Sequence, residues 1–422
     1  MAGRTPLEKA PEPDLGDEPI PAARYTSPEW MRREWEGLWT RSWLLGGRES
    51  DLAEPGAYLT TEIGPESVLI ARGRDGCLRA FLNVCQHRGN RLCARPLGRA
   101  DSFVCPYHTW EWHLDGALKR VPDPETYRQG VPADALRLRA LPCDTWGGWV
   151  WFSLDPAAGP LADWLDPIPA HLAPYRFDRH FLVRDVTIEW DCNWKTSVDA
   201  FNETYHVQGI HPQLLRWTDD VDVQIDLYER HSRMLVAFQR LSPRWPDQET
   251  ITPELAGWLK AAGLDPAAFE GRASEVRGAI QRAKRALGPK LGYTHWADLH
   301  DAQLTDDFHY LIFPNVTLNV LAEGFLLFRQ RPHERDPDRM YWDLQNYVFV
   351  PEGREPPPRP AWSRHRHGEV ELDEVLAQDA ANLPNVQRGM HSRGFGGLWL
   401  SAQERRIRHF HRVLERQLEQ AR

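Results

Sequence analysis

The sequence holds few cysteines and no long apolar run, and these two absences limit the class of protein that it encodes. Six cysteines among 422 residues are too few for a secreted disulfide framework. No stretch approaches the ~20 apolar residues that span a bilayer, and the first 25 residues lack the apolar core of a signal peptide. We therefore expect a cytoplasmic protein without a membrane partner, in which clustered cysteines and histidines bind metal.

The chain also lacks an excess of positive charge and a dinucleotide-binding fingerprint. It holds 51 lysine and arginine residues against 60 aspartate and glutamate residues, a net charge of −9. Nucleic acids and anionic membranes attract basic surfaces, so neither is an expected partner. No Gly-x-Gly-x-x-Gly segment is present, so no dinucleotide site is expected in this chain.

The residue pattern divides the chain into four predicted segments. Residues 1–24 hold five prolines among charged residues and predict a flexible arm. Apolar residues recur at helical spacing in 25–44, which predicts a helix that packs on the C-terminal domain. Residues 45–155 show short β-like runs between Gly and Pro turns, which indicate a small β domain. Residues 156–422 show antiparallel strands and then helices, so the predicted fold class is α+β.

Two short loops of the β segment combine one cysteine and one histidine each. Their sequences are Cys85-Gln-His87 and Cys105-Pro-Tyr-His108, and together they offer four metal ligands. A tetrahedral zinc site is one interpretation. However, one cysteine and one histidine from each loop suit a two-iron cluster, in which one iron takes both thiolates and the other both imidazoles. The other four cysteines are predicted to be buried thiols: Cys77, Cys93, Cys143 and Cys192.

A second group of possible ligands follows in the C-terminal segment. Asp199, Glu203 and His206 are spaced so that a helix would align them on one face. His211 would point elsewhere on a continuous helix, but the glycine and proline around it favour a turn that returns it to His206. Two histidines and one carboxylate with open positions form the facial triad of O₂-activating Fe(II) enzymes.

The spacing leaves the carboxylate of this triad open. Nearby and distant acidic residues are all candidates: Asp199, Glu203, Asp373, Glu374 and Asp379.

At this point the chain resembles the α subunit of the Rieske non-haem iron oxygenases, the ring-hydroxylating oxygenase family. The resemblance rests on the stretches NVCQHRGN and FVCPYHTW and on a later carboxylate-x-x-His-x₄-His motif. It runs from about Arg24 to the C-terminal helix. It implies a small all-β Rieske [2Fe–2S] domain, followed by a catalytic domain of the helix-grip (START-like) kind with an antiparallel sheet.

The resemblance also implies roles for individual residues. The [2Fe–2S] cluster ligands would be Cys85, His87, Cys105 and His108. The Fe(II) ligands would be His206, His211 and Asp379, the last within AQDAANLPNVQRGM. Glu203 would link His206 to a cluster-binding histidine of a neighbouring subunit and so support electron transfer. Asn193 resembles a family asparagine near the iron, although a strand-end hydrogen bond explains it equally well.

The function that the resemblance implies is the hydroxylation of an aromatic or other hydrophobic cyclic compound with O₂, in aromatic hydrocarbon catabolism. Electrons from NADH would arrive through a separate reductase, with or without a ferredoxin, and the subunits would form an α₃ or α₃β₃ assembly. Both cis-dihydroxylation and monohydroxylation remain open. The expected substrate pocket draws on Asn202, Val207, Phe308, Leu311 and Phe313.

Three other functions also remain open. Family members that act on quaternary amines can carry glutamate at the position of Glu203, where many dioxygenases carry aspartate, so oxidative demethylation or quaternary amine oxidation is the alternative activity. A Rieske electron-transfer protein without catalysis is the second alternative. A zinc-stabilised binding protein of START-like shape is the third.

Overall fold

The computed structural model describes residues 7–132 and 134–421. This part of the chain forms two compact units, Arg33–Asp166 and a larger one made of residues 7–32 with Pro167–Gln420. None of the described helices is both long enough and apolar enough to cross a bilayer. The smaller unit includes more residues at both ends than the predicted range 45–155, and the predicted domain limits stay a prediction.

Short strands make up most of the smaller unit. They are β1 (Trp43–Arg48), β2 (Ala57–Ile63), β3 (Glu66–Arg72), β4 (Leu78–Leu82), β5 (Leu97–Arg99), β6 (Phe103–Val104), β7 (Glu111–Trp112), β8 (Leu118–Arg120), β9 (Ala140–Leu141), β10 (Cys143–Trp146) and β11 (Trp149–Ser153). They form antiparallel sheets with the orders β1-β11-β10, β5-β2-β3-β4-β9 and β6-β7-β8. All residues of β11 are buried because this apolar strand lies in the middle of its sheet. The predicted small β domain is confirmed.

The larger unit is built on one sheet of eight strands among the described residues. They are β12 (His180–Trp190), β13 (Gln224–Leu227), β14 (Ser232–Val236), β15 (Asp307–Ile312), β16 (Val316–Leu321), β17 (Gly324–Pro332), β18 (Met340–Phe349) and β19 (Ser363–Arg366). Their order is β13-β14-β15-β16-β17-β18-β12-β19. All neighbours are antiparallel except β12 and β19, which are parallel.

Helices complete the fold. They are α1 (Ala23–Thr26), α2 (Pro28–Gly37), α3 (Leu161–Leu165), α4 (Ile168–Leu172), α5 (Trp194–Phe201), α6 (Val207–Ile210), α7 (Pro253–Ala261), α8 (Val276–Leu291), α9 (Asp301–Thr305), α10 (Glu374–Met390) and α11 (Arg405–Gln420). Antiparallel strands with helices packed on them confirm the predicted α+β class.

The helix predicted over residues 25–44 is shorter in the structure. A break at Ser27, which has an extended backbone, separates α1 from α2, and α2 ends at Gly37. Leu44 then pairs with Phe152 across β1 and β11. The apolar spacing fits a helix as far as Trp39, but pairing with β11 overrides that local preference for the following residues.

The described N-terminal segment, from residue 7, packs on the rest of the larger unit along much of its length. The Ala10 N–H donates to Asp226 Oδ1 at 2.7 Å, and Ile20 exchanges two backbone hydrogen bonds with Leu398. Proline and charge content alone did not predict these contacts. Residues 1–6 of the predicted arm lie outside the described residues.

One face of the large sheet, here called the α5 face, is contacted by α5 and α11. Phe201 of α5 lies 4.7 Å from Phe328 of β17, measured between ring centroids. Arg406 of α11 hydrogen-bonds to His309 of β15 at 3.1 Å. Because side chains alternate along a strand and directly paired residues share a face, the register of these strands assigns every neighbouring side chain to one face or the other.

Candidate metal centres

Two loops of the smaller unit share one backbone hydrogen-bond pattern. They begin at Cys85, after β4, and at Cys105, after β6. In each loop the cysteine N–H donates to the carbonyl five residues later at 2.8 Å, and the cysteine carbonyl accepts from the N–H four residues later at 3.0 Å. The residues four positions later, Gly89 and Thr109, have φ values of +75° and +54°. This left-handed backbone closes each loop tightly around its cysteine.

The ligand side chains of the two loops pair by type. The Cys85 thiol lies close enough to Cys105 for Cys105 to raise its pKa, and the His87 and His108 rings lie 4.7 Å apart between centroids. Both cysteines are buried and both histidines are half-buried. His87 also stacks on Trp110 with parallel ring planes. Thiol beside thiol and imidazole beside imidazole is the arrangement in which one iron takes two thiolates and the second takes two imidazoles.

Burial acts in opposite directions on the two kinds of ligand: it disfavours the metal-binding thiolate of Cys85 and favours the metal-binding neutral imidazole of His87. Burial raises the pKa of the Cys85 thiol, and its neighbour Cys105 raises it further. Burial lowers the pKa of His87, and the nearby His108 lowers it further, so the ring is neutral and free to bind metal. The His108 Nδ1 atom is buried without a hydrogen-bond partner in the described part of the chain. These four side chains therefore fit a [2Fe–2S] cluster.

The other cysteines lie outside this group. Cys93 and Cys192 are buried and Cys143 is half-buried, and burial raises the pKa of Cys93 to about 11. Cys77 is exposed, so the prediction that it is buried is wrong. It lies in the turn between β3 and β4, where the chain reverses at the surface.

In the larger unit, α5 stops before the second group of ligands begins. Its last residue is Phe201, and the Asn202 side-chain N–H₂ donates back to the Val198 carbonyl at 2.8 Å. A helix does not restart until Val207. The predicted continuous helix through His206 is therefore wrong, and Glu203 lies in the irregular segment between α5 and α6.

Glu203 fixes the orientation of His206. Its Oε1 lies 2.5 Å from His206 Nδ1, and its Oε2 accepts from the His206 backbone N–H at 3.0 Å. The Nε2 atom of the ring consequently points towards Asp379, at 3.9 Å from Oδ1. Burial alone would lower the pKa of His206, but Glu203 and then Asp379 outweigh it and raise that pKa.

Gln378 fixes the orientation of the His211 ring. The helix α6 ends at Ile210, so the chain turns and places the His211 ring 5.1 Å from the His206 ring between centroids, as predicted. Gln378 Oε1 accepts from His211 Nδ1 at 2.6 Å. With its proton on Nδ1, the ring presents a free lone pair at Nε2, which lies 3.0 Å from Asp379 Oδ1.

These contacts assemble a three-ligand site. The ligand atoms of His206, His211 and Asp379 all lie within 4.8 Å of one another. Two atoms that each bind an ion at ~2.1 Å and at right angles lie ~3 Å apart, close to the separation of His211 Nε2 and Asp379 Oδ1. Two imidazoles and one carboxylate with the remaining positions open are the ligand set of mononuclear Fe(II) sites, so these residues fit that ion.

The other carboxylates considered from the sequence do not reach this site. Asp199 Oδ2 accepts from the Tyr25 hydroxyl at 2.5 Å and lies 3.5 Å from His411 Nε2. Asp373 caps the N-terminus of α10 by accepting from the Leu376 N–H, and Glu374 lies in the first turn of the same helix.

Asn193 acts as a helix cap. Its Oδ1 accepts from the Lys195 N–H at 3.0 Å, and its Nδ2 donates to the Tyr25 and Pro337 carbonyls at 2.9 and 2.7 Å. All of these are backbone groups, so the structure gives Asn193 the strand-end hydrogen-bonding role rather than a place beside the three ligands.

The predicted pocket residues are divided between two faces of the sheet. Leu311 lies on the α5 face, two residues from His309. Phe308 points to the opposite face and contacts Tyr175, so the structure does not bring it to the site. Phe313 packs against Phe410 of α11. Val207, next to His206, and Asn202 at the end of α5 are both buried near the ligands.

Sequence reasoning missed the residues that orient the ligands. Gln378 precedes Asp379 directly in the chain, and that adjacency on a helix beside a candidate ligand was the available signal. The Tyr25–Asp199 contact joins residues 174 positions apart, and no local pattern predicts it.

Comparison with known proteins gives the same two parts in the same order. The family model "Rieske [2Fe-2S] domain" matches residues 42–139, and the model "Ring hydroxylating alpha subunit (catalytic domain)" matches residues 177–420. Together they imply a Rieske cluster and a mononuclear iron.

Individual proteins resemble the chain more distantly. The glycine betaine monooxygenase oxygenase subunit of Chromohalobacter salexigens is 32% identical over 200 residues, 47% of this chain and 44% of that protein. The carnitine monooxygenase oxygenase subunit of Escherichia coli K12 is 34% identical over 212 residues, 50% of this chain and 55% of that protein. The chain thus spans about half the length of the curated relatives that it matches.

A solved structure extends the likeness of the fold to nearly the whole chain. The quaternary ammonium Rieske monooxygenase CntA superimposes with a TM-score of 0.69 at 19% identity, over 97% of this chain and 99% of that one. At this identity the superposition shows the fold alone. With both family models matched in order, the chain belongs to the α subunits of the Rieske non-haem iron oxygenases, the ring-hydroxylating oxygenase family.

Proposed function

We propose that this chain is the oxygenase component of a Rieske monooxygenase, with Fe(II) bound by His206, His211 and Asp379. The observation that carries the proposal is the convergence of these three ligand atoms within 4.8 Å. Iron in such a site supplies O₂ activation, and a Rieske cluster supplies electrons one at a time. The cluster ligands in the proposal are Cys85, His87, Cys105 and His108.

The protein's own contribution is orientation. Glu203 holds the His206 ring through Nδ1 and Gln378 holds the His211 ring through Nδ1, so both Nε2 atoms face Asp379. A carboxylate has lone pairs for about four hydrogen bonds, so Glu203 retains the capacity to accept another. In the proposal this extra bond comes from the cluster-binding His108 of a neighbouring subunit, which sets the electron path.

The proposed substrate is a quaternary amine. Relatives with 32% and 34% identity are named for glycine betaine and carnitine, and glutamate at position 203 agrees with that branch of the family. The reaction inserts one oxygen atom of O₂ into a C–H bond next to the ammonium nitrogen. Two electrons and two protons reduce the other atom to water, and the hydroxylated carbon then separates from nitrogen as a carbonyl compound. Hydroxylation of an aromatic or other hydrophobic cyclic compound is the second candidate.

The proposal includes partners. NADH electrons come from a separate reductase, with or without a ferredoxin, because this chain lacks a dinucleotide fingerprint. A ring of three subunits, a closed heterologous assembly, would bring one subunit's cluster to the next subunit's iron. A cytoplasmic location remains part of the proposal.

The test is the metal and acid-labile sulfide content of anaerobically purified protein, together with EPR of the reduced cluster. We expect about three irons and two sulfides per chain, and we expect His206→Ala to lose one iron while keeping the Rieske signal. Two irons in both proteins would instead indicate an electron carrier, and zinc without sulfide would refute the proposal.

Substrate class needs a separate measurement. The holoenzyme is supplied with a Rieske reductase and NADH, and O₂ uptake and product are compared for glycine betaine, L-carnitine and indole. Product from an amine supports the proposal. Hydroxylated indole without amine turnover would favour the aromatic candidate.

A further inference from the structure

Three polar side chains of the large sheet form a wall on the α5 face. Thr317 pairs directly with Phe328, which Phe201 of α5 contacts. Asn319 lies two residues further along β16, and Gln330 lies two residues from Phe328 along β17. Strand alternation therefore places all three side chains around Phe328, on the face that α5 covers.

These side chains bury polar atoms that the protein leaves without partners. In the part of the chain that the structure describes, no hydrogen bond reaches Thr317 Oγ1, Asn319 Nδ2, or either Gln330 Oε1 or Nε2. Thr317 and Gln330 are fully buried. An unpaired buried polar group destabilises the folded state, so a wall of such groups is unfavourable unless a ligand or water satisfies it.

The wall lies beside the segment that carries the iron ligands. Phe201 packs on Phe328 and is followed directly by Asn202, whose Oδ1 is also buried without a partner among the described residues. Glu203 and His206 follow within five residues. A molecule that lies against the wall is therefore close to the chain segment at which chemistry would occur.

A buried cation, Arg406, is linked to the wall through His309. Arg406 is fully buried, and its guanidinium donates to Ser232 Oγ at 3.0 Å and to His309 Nδ1 at 3.1 Å. Within the described residues it forms no ion pair with a carboxylate at 4.0 Å or less. His309 pairs directly with Asn319 across β15 and β16, so the guanidinium and the wall are joined through one imidazole.

His309 offers a hydrogen-bond donor of its own beside Asn319, its direct partner across β15 and β16. Burial first, and then Arg406, lower the pKa of His309 well below its usual value, so the ring is neutral. Since Nδ1 accepts from a guanidinium, the ring proton resides on Nε2. Burial also raises the pKa of the neighbouring Asp307 to about 8, although Arg406 lowers it, and no ion pair at 4.0 Å or less joins these two side chains in the described part of the chain.

We propose that Thr317, Asn319, Gln330 and His309 form a subsite for the carboxylate of the substrate, with Arg406 supplying the positive charge behind it. The subsite rests on the proposed function and narrows it to amines that also carry a carboxylate, with the cationic end directed to the iron. A carboxylate accepts several hydrogen bonds at once, and it brings the negative charge that the buried guanidinium lacks. A hydrocarbon would leave every one of these donors unpaired.

The experiment is calorimetric titration of the full-length holoenzyme with glycine betaine and with choline. Both probes carry the same trimethylammonium group, but choline has a hydroxymethyl group in place of the carboxylate. A hydrogen bond to a charged group is worth about 1.5–3 kcal/mol, so we expect glycine betaine to bind at least about tenfold more tightly.

Two variants locate the subsite. Gln330→Met should weaken glycine betaine binding by about tenfold, change choline binding little, and leave the melting temperature unchanged or raised because no hydrogen bond is lost. Thr317→Val should act in the same direction. The matched control is Gln345→Met, on the opposite face of the neighbouring strand, where Gln345 hydrogen-bonds to Asp185 and Tyr347. It should lower the melting temperature and leave both affinities unchanged.

The subsite would be overturned if the two probes bound with equal affinity, if neither bound, or if both wall variants left the affinity ratio unchanged. Ordered water alone would then satisfy the wall. Failure of the proposed function would be recognised by a different result: the wild-type protein would lack the mononuclear iron or would not oxidise amines. An enzyme that holds both metal centres and oxidises choline as readily as glycine betaine would keep the function and refute the subsite.

Discussion

Glu203 Oε1 and Asp379 Oδ1 lie on opposite sides of the His206 ring, at 2.5 Å from Nδ1 and 3.9 Å from Nε2. Glu203 therefore directs the ring without occupying the position where a metal would bind. Outer hydrogen-bond partners of this kind commonly set the tautomer and orientation of metal-binding histidines. The two carboxylates thus have separable roles, although both contact the same imidazole.

The first prediction concerns Glu203→Gln. The amide oxygen can still accept from His206 Nδ1, so the iron site should form, but the negative charge that the proposed electron path uses is lost. We expect full metal content and reoxidation of the reduced cluster slowed by about tenfold to a hundredfold, measured by stopped-flow absorbance with O₂ and substrate present.

The matched variants are Asp379→Asn and Asp199→Asn. Asp379→Asn should lose the mononuclear iron and keep the Rieske signal. Asp199→Asn should keep all the iron, because its carboxylate contacts Tyr25 and His411 instead. An empty iron site in Glu203→Gln together with a filled one in Asp379→Asn would contradict the assignment.

The second prediction concerns Gln378. Removing its carbonyl in Gln378→Leu leaves His211 Nδ1 without an acceptor, so the Nε2 lone pair is no longer fixed on the iron side. We expect iron affinity to fall by about tenfold to a hundredfold, measured by competition with a chelator. Gln378→Glu keeps an acceptor at this position and should retain most of the affinity, and equal loss in both variants would contradict this role.

The third prediction separates ligand cysteines from ordinary buried ones. Cys85 and Cys93 belong to the same buried cluster of the smaller unit, but only Cys85 pairs with Cys105. Cys85→Ser should abolish the Rieske EPR signal and the labile sulfide, while Cys93→Ser should keep both. Loss of the cluster in both variants would indicate that packing, rather than ligation, accounts for the effect.

The fourth prediction concerns pH and stability. Burial raises the pKa of Asp307 to about 8, whereas an unfolded aspartate has a pKa of about 3.9. Between these values the folded state holds the extra proton, so the contribution of Asp307 to the free energy of unfolding falls as pH rises, by up to about 1.4 kcal/mol per pH unit. Asp307→Asn should remove this slope and be more stable than wild type at pH 8.

The neighbouring Asp306 provides the contrast. It forms a two-point ion pair with Arg277, at 2.5 and 2.8 Å, and Asp306→Asn leaves that guanidinium unpaired. We therefore expect Asp306→Asn to be less stable than wild type at both pH 5 and pH 8, by urea denaturation. If Asp307→Asn were destabilising in the same way, Asp307 would be ionised and paired with Arg406.

The sequence singled out the candidate ligands that the structure brings together, but predicted less of the structure around them. Cys85, His87, Cys105 and His108 occur in short loops whose spacing is itself informative, and local hydrogen bonds close those loops. His206 and His211 were likewise brought together by a turn that a glycine and a proline signal. Asp379 came from resemblance, because a ligand 168 residues from His211 leaves no local pattern.

The failures have a common physical cause. Asp199, Glu203 and His206 have helical spacing, but the helix ends at Phe201 with Asn202 as its cap, so the spacing does not align their side chains. Phe308 was assigned to the pocket although strand parity decides its face, and parity depends on a register that only the folded sheet defines. The sequence did not predict the polar wall, because Thr317, Asn319 and Gln330 lie on two strands and come together only when these strands pair.

The separation of the ligands along the chain has a consequence for biosynthesis. The two candidate cluster loops have been synthesised once the ribosome has passed Trp110. The candidate iron site also needs Asp379, which lies in α10. In the sheet of the larger unit, β12 cannot pair with both of its neighbours before β19 has been synthesised. Domains generally fold as units during translation, beginning at the N-terminus, and distant pairings form slowly. The candidate cluster ligands are therefore all present on a nascent chain that still lacks Asp379, so the order of the chain allows the cluster to be inserted before the iron.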